Sequence, residues 1–187
     1  MSTASVTAPA LITAEQFADR PDPGYPEELV KGRIVPMAVP KPRHGEICGN
    51  AVFILSAHAR DRDLGRVLSN DAGVITERGP DTVRGADVSF YSFARVPKGP
   101  LPDRYLDTPP DLVVEVVSPT DRWPKVFAKV AEYLDAGTTV VVVLDDKRRL
   151  AHVYRADGTT RVLAADEELT IPDLLGDFSV KVGRFFE

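Results

Sequence analysis

Three side chains of this 187-residue chain could do chemistry together: Asp87, Glu115 and Lys129. Glu115 interrupts the aliphatic run DLVVEVV, residues 111–117, whose composition suits a strand covered on both faces. A carboxylate is rarely buried unless it is paired or bound to a cation. Strand alternation groups Glu115 with Val113 and Val117, and places Leu112, Val114 and Val116 on the other face. Asp87, in ADVSFY, falls by the same alternation with Ser89 and Tyr91, opposite Val88 and Phe90. If the two strands are neighbours their carboxylates converge, and two such oxygen donors completed by water and a phosphate suit magnesium. Lys129 follows on the next helix, in one stripe with Lys125 and Tyr133. From there its ammonium could orient or help deprotonate a water and offset charge growing on a phosphorane-like transition state. The plainer alternative is a surface lysine, or a structural ion pair with Glu115. In the absence of such a pair Glu115 is a buried anion, and its replacement by Gln should stabilise the metal-free protein.

A basic stretch between Lys31 and His44 holds Lys31, Arg33, Lys41 and Arg43 with no acid among them. It is either a local phosphate-binding surface, with His44 beside it, or a solvated loop. Locality matters because the net charge of −5 gives no global attraction to nucleic acid. His44 and Cys48 stand four apart and share a face if both are helical. A cysteine–histidine nucleophile or partial metal site follows only with a third group, and none is visible in the sequence. A buried, inert thiol is the simpler reading, and His58 and His152 read as structural or exposed. One cysteine excludes an internal disulfide and any multi-thiolate zinc site. No Gly-rich phosphate loop, dinucleotide fingerprint or Gly-x-Ser-x-Gly elbow is present. No apolar run approaches a membrane span and no secretory signal opens the chain, so a cytoplasmic protein is expected.

The elements that must position these groups read as follows. Residues 1–10 form a loose tail and 11–187 one domain. Thr13 and Gln16 have capping-box spacing, opening a short helix to about Asp19. Two short strands flank Lys31-Gly32 between Glu28 and Val39, with Glu28 on the first. A long helix runs from Arg43 to about Arg62, with Pro42 ahead of it. Three β pieces follow at 66–68, 72–77 and 86–91, then a proline-rich loop at 96–110. After the Glu115 strand, Asp121 or Trp123 leads a helix to Gly137, and TTVVVVLDD is the next strand. The remainder, with LAHVYR, 160–163, 168–171 and the closing DFSVKVGRFF, reads as a meander of short strands. The fold class is α/β, a mixed sheet with helices packed on it.

The segments EELVKGRIV (27–35), PRHGEI (42–47), TVRGADVSF (82–90), PDLVVEVVSPTDR (110–122) and KVAEYLDAGT (129–138) occur in an order that resembles the Uma-two family of restriction endonucleases. That family is a branch of the PD-(D/E)XK nuclease superfamily, and the resemblance runs from about Thr13 to Phe186. It implies a restriction-endonuclease-like core and metal-assisted hydrolysis of DNA phosphodiesters, with Mg2+ as cofactor and Mn2+ as a substitute. It further implies Asp87, Glu115 and the Val116 carbonyl as metal ligands, Glu28 as an auxiliary acid and Lys129 as the catalytic lysine. A homodimer is the expected assembly, so that two sites meet two strands. Two positions depart from the pattern. Ala86 stands where the superfamily has proline, and Val117 stands where a lysine usually lies, leaving that role to Lys129. The competing expectation is an inactive nucleic-acid-binding or protein-interaction module of the same fold, which the acidic charge and Val117 favour.

Overall fold

The computed structural model describes residues 10–118 and 122–187. The expected tail therefore falls almost wholly outside the described residues, as do Pro119 and Asp121. Helix α1 (Ala14–Ala18) opens with the expected capping box, the Thr13 hydroxyl accepting from the Gln16 N–H and the Gln16 side chain accepting from the Thr13 N–H. Strands β1 (Glu27–Val30) and β2 (Arg33–Pro36) form the hairpin, with Lys31 and Gly32 both at positive φ, 50° and 72°. Helix α2 (Pro42–Asp61) carries proline in its first turn and buries Ile47, Ala51, Leu55 and Ala59 along one stripe.

The first two of the three expected β pieces are one strand. β3 (Gly65–Glu77) runs antiparallel to β4 (Thr82–Ser92) along its length, and the break expected between residues 68 and 72 is a bulge between Ser69 and Ala72. Asn70 and Asp71 take positive φ there, 64° and 53°, a conformation these two residue types tolerate. The buried strand β5 (Leu112–Val117), helix α3 (Trp123–Asp135) and strand β6 (Val140–Asp145) form a parallel crossover, with Gly137 past the helix at φ 106°. β7 (Leu150–Arg155) and β8 (Thr160–Leu163) extend the same sheet, in the order β2-β1-β4-β5-β6-β7-β8 with β3 against β4. Among the strand pairs of the described residues only β5–β6 is parallel. The expected meander ends there. β9 (Glu168–Thr170) and β10 (Ser179–Lys181) form a separate two-stranded sheet around helix α4 (Pro172–Leu175), and GRFF lies in a 3-10 helix, Val182–Phe186. Their apolar residues Leu169, Leu175, Phe178, Phe185 and Phe186 cover the α2 face of the sheet, so burial there outweighs strand pairing with β8.

The sheet is covered on both sides. On one face α2 and the C-terminal segment pack on Val88, Phe90, Leu112, Val114 and Val116; on the other α3 packs on Ala86, Val113, Val141 and Val143. The alternation read for β5 therefore holds, with Glu115 on the α3 side.

One edge of β4 is taken by β3, and the other is divided. β1 pairs at Val83 and β5 at residues 88–90, leaving residues 84–87 facing a gap between them. Gly85 lies at that gap because the bulge passes close by: a Cβ here would meet the Asp71 Cβ at 2.9 Å and its carbonyl oxygen at 3.3 Å. Gly85→Ala is expected to destabilise the protein by about 1–3 kcal/mol, read from the urea midpoint, because the bulge must shift. No change in midpoint would show that the bulge yields freely.

Candidate active site

The gap in the sheet opens into a cavity of about 240 Å³ lined by Glu28, Lys41, His44, Asp71, Asp87, Glu115, Val116 and Lys129, among others. They arrive from six elements: β1, the start of α2, β3, β4, β5 and α3. β4 loses its alternation at Asp87, since Ala86 packs toward α3 while Val88 packs toward α2, directly opposite the two-residue bulge of β3. Asp87 is thereby turned into the gap, where it accepts the Val116 N–H at 2.7 Å and lies 3.4 Å from the His44 Nε2. Glu115 is 9% exposed and accepts the Tyr133 hydroxyl at 2.7 Å. Lys129 and Tyr133, one turn apart on α3, reach the same carboxylate.

Lys129 makes its closer ion pair with Glu28, at 2.9 Å, and stands 3.8 Å from Glu115. Glu28 in turn accepts from Arg84 at 2.8 Å and from the Gly85 N–H at 3.2 Å, and Arg84 also grips Glu132. Glu28 is thus a fully engaged strut that holds the lysine over Glu115. Glu115 has both a cation and a hydroxyl donor near it, so the expectation of an unpartnered buried anion is corrected.

Burial pushes the Glu115 carboxyl up from 4.5 to about 8; Asp87 and Glu28 add to the rise, and Lys129 and Tyr133 oppose it. Asp71 is also raised, by burial and then by Asp87. Burial would lower Lys129, but Glu115 and Glu28 outweigh it and hold the ammonium above its ordinary value. His44 is raised to about 11, first by its hydrogen bond to Asp87 and then by Cys48. The folded protein therefore holds an extra proton on Glu115 between pH 4.5 and about 8. This contribution to stability is fully present at the acid end and is lost as pH rises through about 8. The expected result is a melting temperature for wild type minus Glu115→Gln that falls from about pH 5 to about pH 9. A rising difference would end the assignment of a protonated Glu115. The stabilisation expected of Glu115→Gln is accordingly confined to the alkaline side. Tyr133→Phe removes the hydroxyl donor, and a loss of about 1–2 kcal/mol is expected in denaturant unfolding. Unchanged stability would mean that the hydroxyl contributes nothing at Glu115.

The basic stretch divides. Lys41 and His44 line the cavity; Lys31 and Arg33, at the turn end of the β1–β2 hairpin, do not. Arg43 is turned away, bound to Asp146 at 2.8 Å, Glu46 at 2.7 Å and the Phe186 carbonyl at 2.9 Å. The sequence reading missed Asp71, Arg84 and a third group for His44 and Cys48. That third group is Asp87, whose ligand atom lies within 4.8 Å of theirs. The Asn-Asp pair in β3 was a visible signal for the bulge; nothing local ties residue 87 to residue 44. His58 is structural, its Nε2 2.7 Å from the Leu175 carbonyl oxygen.

Among the described residues no helix is long and apolar enough to cross a membrane. No curated protein matches the chain. In structure it is similar to a protein of Anabaena variabilis ATCC 29413, described as "a putative nuclease belonging to DUF820". The TM-score is 0.80 at 21% identity, over 94% of this chain and 97% of that one, a likeness that shows the fold. A family profile matches residues 14–183, nearly the whole length. The chain belongs to that family, Uma2, whose description is "Putative restriction endonuclease".

Proposed function

We propose that this protein is a metal-dependent endonuclease that hydrolyses DNA phosphodiesters at the sheet gap, within a domain spanning residues 11–187. The observation that carries the reading is the convergence of Asp87, Glu115, Val116 and Lys129 on one cavity. The donor set fits a hard divalent cation. Asp87 and Glu115 offer carboxylate oxygens on neighbouring strands, and burial plus mutual repulsion raises Glu115, which an added cation would relieve. The Val116 N–H points at Asp87, and a strand residue directs its carbonyl to the same edge, so Val116 would add a third oxygen. Mg2+, or Mn2+ in its place, would be held by these three groups and would supply Lewis-acid charge at the scissile phosphate.

The chain's own groups do the rest. Lys129, kept protonated by Glu28 and Glu115, acts as a fixed cation that orients the attacking water and offsets charge on the transition state, rather than as the base. This also answers the missing lysine at Val117, since the ammonium reaches Glu115 from the helix instead of the strand. Glu28 positions Lys129. Lys41 and His44, at the first turn of α2, meet the DNA phosphate on the opposite wall.

Supercoiled plasmid incubated with the protein and Mg2+ or Mn2+ tests the reading. Nicking that requires the metal and stops with chelator is expected. Nicking that survives chelation overturns the metal site. Absence of nicking with either metal overturns the enzyme, and DNA retained on a gel in that case would favour the inactive binding module.

A further inference from the structure

A second kind of metal ligand set overlaps the first. His44 and Cys48 project from successive turns of α2, and Asp87 faces them across the gap. The His44 Nδ1 is 3.4 Å from the Cys48 sulfur, while its Nε2 is 3.4 Å from an Asp87 carboxylate oxygen. One ligand atom from each residue can be chosen so that all three lie within 4.8 Å of one another. A tetrahedral zinc ion with bonds of about 2.0–2.3 Å separates its ligands by roughly 3.3–3.8 Å. A turn of the imidazole that aims one nitrogen between the sulfur and the oxygen closes that geometry. Asp71 lines the same cavity, a further carboxyl group beside the set.

The donor chemistry separates this set from the hard-oxygen one. Thiolate and imidazole select zinc-class ions over magnesium, whereas Asp87, Glu115 and a carbonyl select the reverse. We infer that His44, Cys48 and Asp87 form a zinc-class binding site that competes with the hard-cation site for Asp87. Cys48 coordinates as thiolate and His44 as neutral imidazole, so the S–H proton and one imidazolium N–H proton leave to solvent as the ion binds, and a water fills the fourth position. With Asp87 so engaged, Glu115 and the Val116 carbonyl are left without their strand partner. Zinc binding itself does not depend on the nuclease reading; only its consequence, inhibition of cleavage, rests on that reading.

Titration of the metal-free protein with Co2+ tests the site directly, because a thiolate ligand gives a near-ultraviolet charge-transfer absorption that oxygen ligands do not. The expected result is a one-to-one band, displaced by Zn2+ and absent in Cys48→Ser. Zinc affinity should fall at least about 100-fold in that variant, since even outer-shell losses cost 10–100-fold. Its melting temperature is measured alongside, and the cobalt band of the unaltered protein needs no variant at all. Absence of the band, or equal zinc affinity in both proteins, overturns the site. Mn2+ binding followed by its paramagnetic resonance should weaken as zinc is added to the wild type and hold in Cys48→Ser; full binding of both ions together overturns the competition. If the cobalt band forms while Mn2+ never binds, the hard-cation centre fails and the zinc site stands. In the nicking assay Cys48→Ser should keep wild-type rates with Mg2+ and lose zinc inhibition, and inhibition that persists in it overturns the regulatory consequence.

Discussion

Asp87→Ala is expected to lower metal-dependent nicking by at least about 10³-fold, the upper range for losing one preorganised electrostatic group. Asp87 is the side chain that joins both strands of the gap, accepting the Val116 N–H from β5 while rooted in β4. Without it a hard cation keeps Glu115 and a carbonyl, too few oxygens to hold it at the strand junction. The fold should survive. The Val116 N–H and His44 lose a partner, costing about 1–3 kcal/mol if no water replaces it. Against that, Glu115 and Asp71 lose the neighbouring charge that raises both. Nicking rates at saturating Mg2+, measured beside a urea unfolding curve, decide it. A folded variant within about tenfold of wild type would place the catalytic metal elsewhere.

Lys129→Ala should cut turnover by about 10²–10⁴-fold while leaving hard-cation affinity intact or higher. The sign for metal binding follows from charge: removing the ammonium 3.8 Å from Glu115 takes away a competitor for the carboxylate. The metal-free protein should also be less stable. Breaking a buried pair by deleting one partner costs about 3–5 kcal/mol, and here the loss should fall below that range. Arg84 still holds Glu28, and Glu115 can retain its proton. Single-turnover nicking, Mn2+ titration and unfolding curves read the three effects separately. Loss of metal affinity in this variant would mean that Lys129 organises the ligands rather than assisting the water.

The sequence by itself determined whatever depends on local period and local turn chemistry. The capping box at Thr13, the positive-φ hairpin at Lys31-Gly32, the proline entry to α2 and the glycine exit from α3 were all legible. So was the side of β5 that carries Glu115, because alternation persists through a strand buried on both faces. Alternation misleads at Asp87, where two bulged residues of β3 oppose one residue of β4 and turn its side chain into the gap.

Tertiary structure alone decided which distant groups meet. Arg43 was indistinguishable from Lys41 as a phosphate binder until Asp146, 103 residues away, took its guanidinium. Lys129 could be aimed at Glu115 from its helix stripe, but its closer partner, Glu28, lies on a strand 101 residues earlier. His44 and Cys48 acquire Asp87 in the same way, across elements and not along one. Such contacts have no period in the chain. They arise because β4 divides one edge between β1 and β5, and burial of the surrounding apolar faces fixes that division before any charge finds its partner.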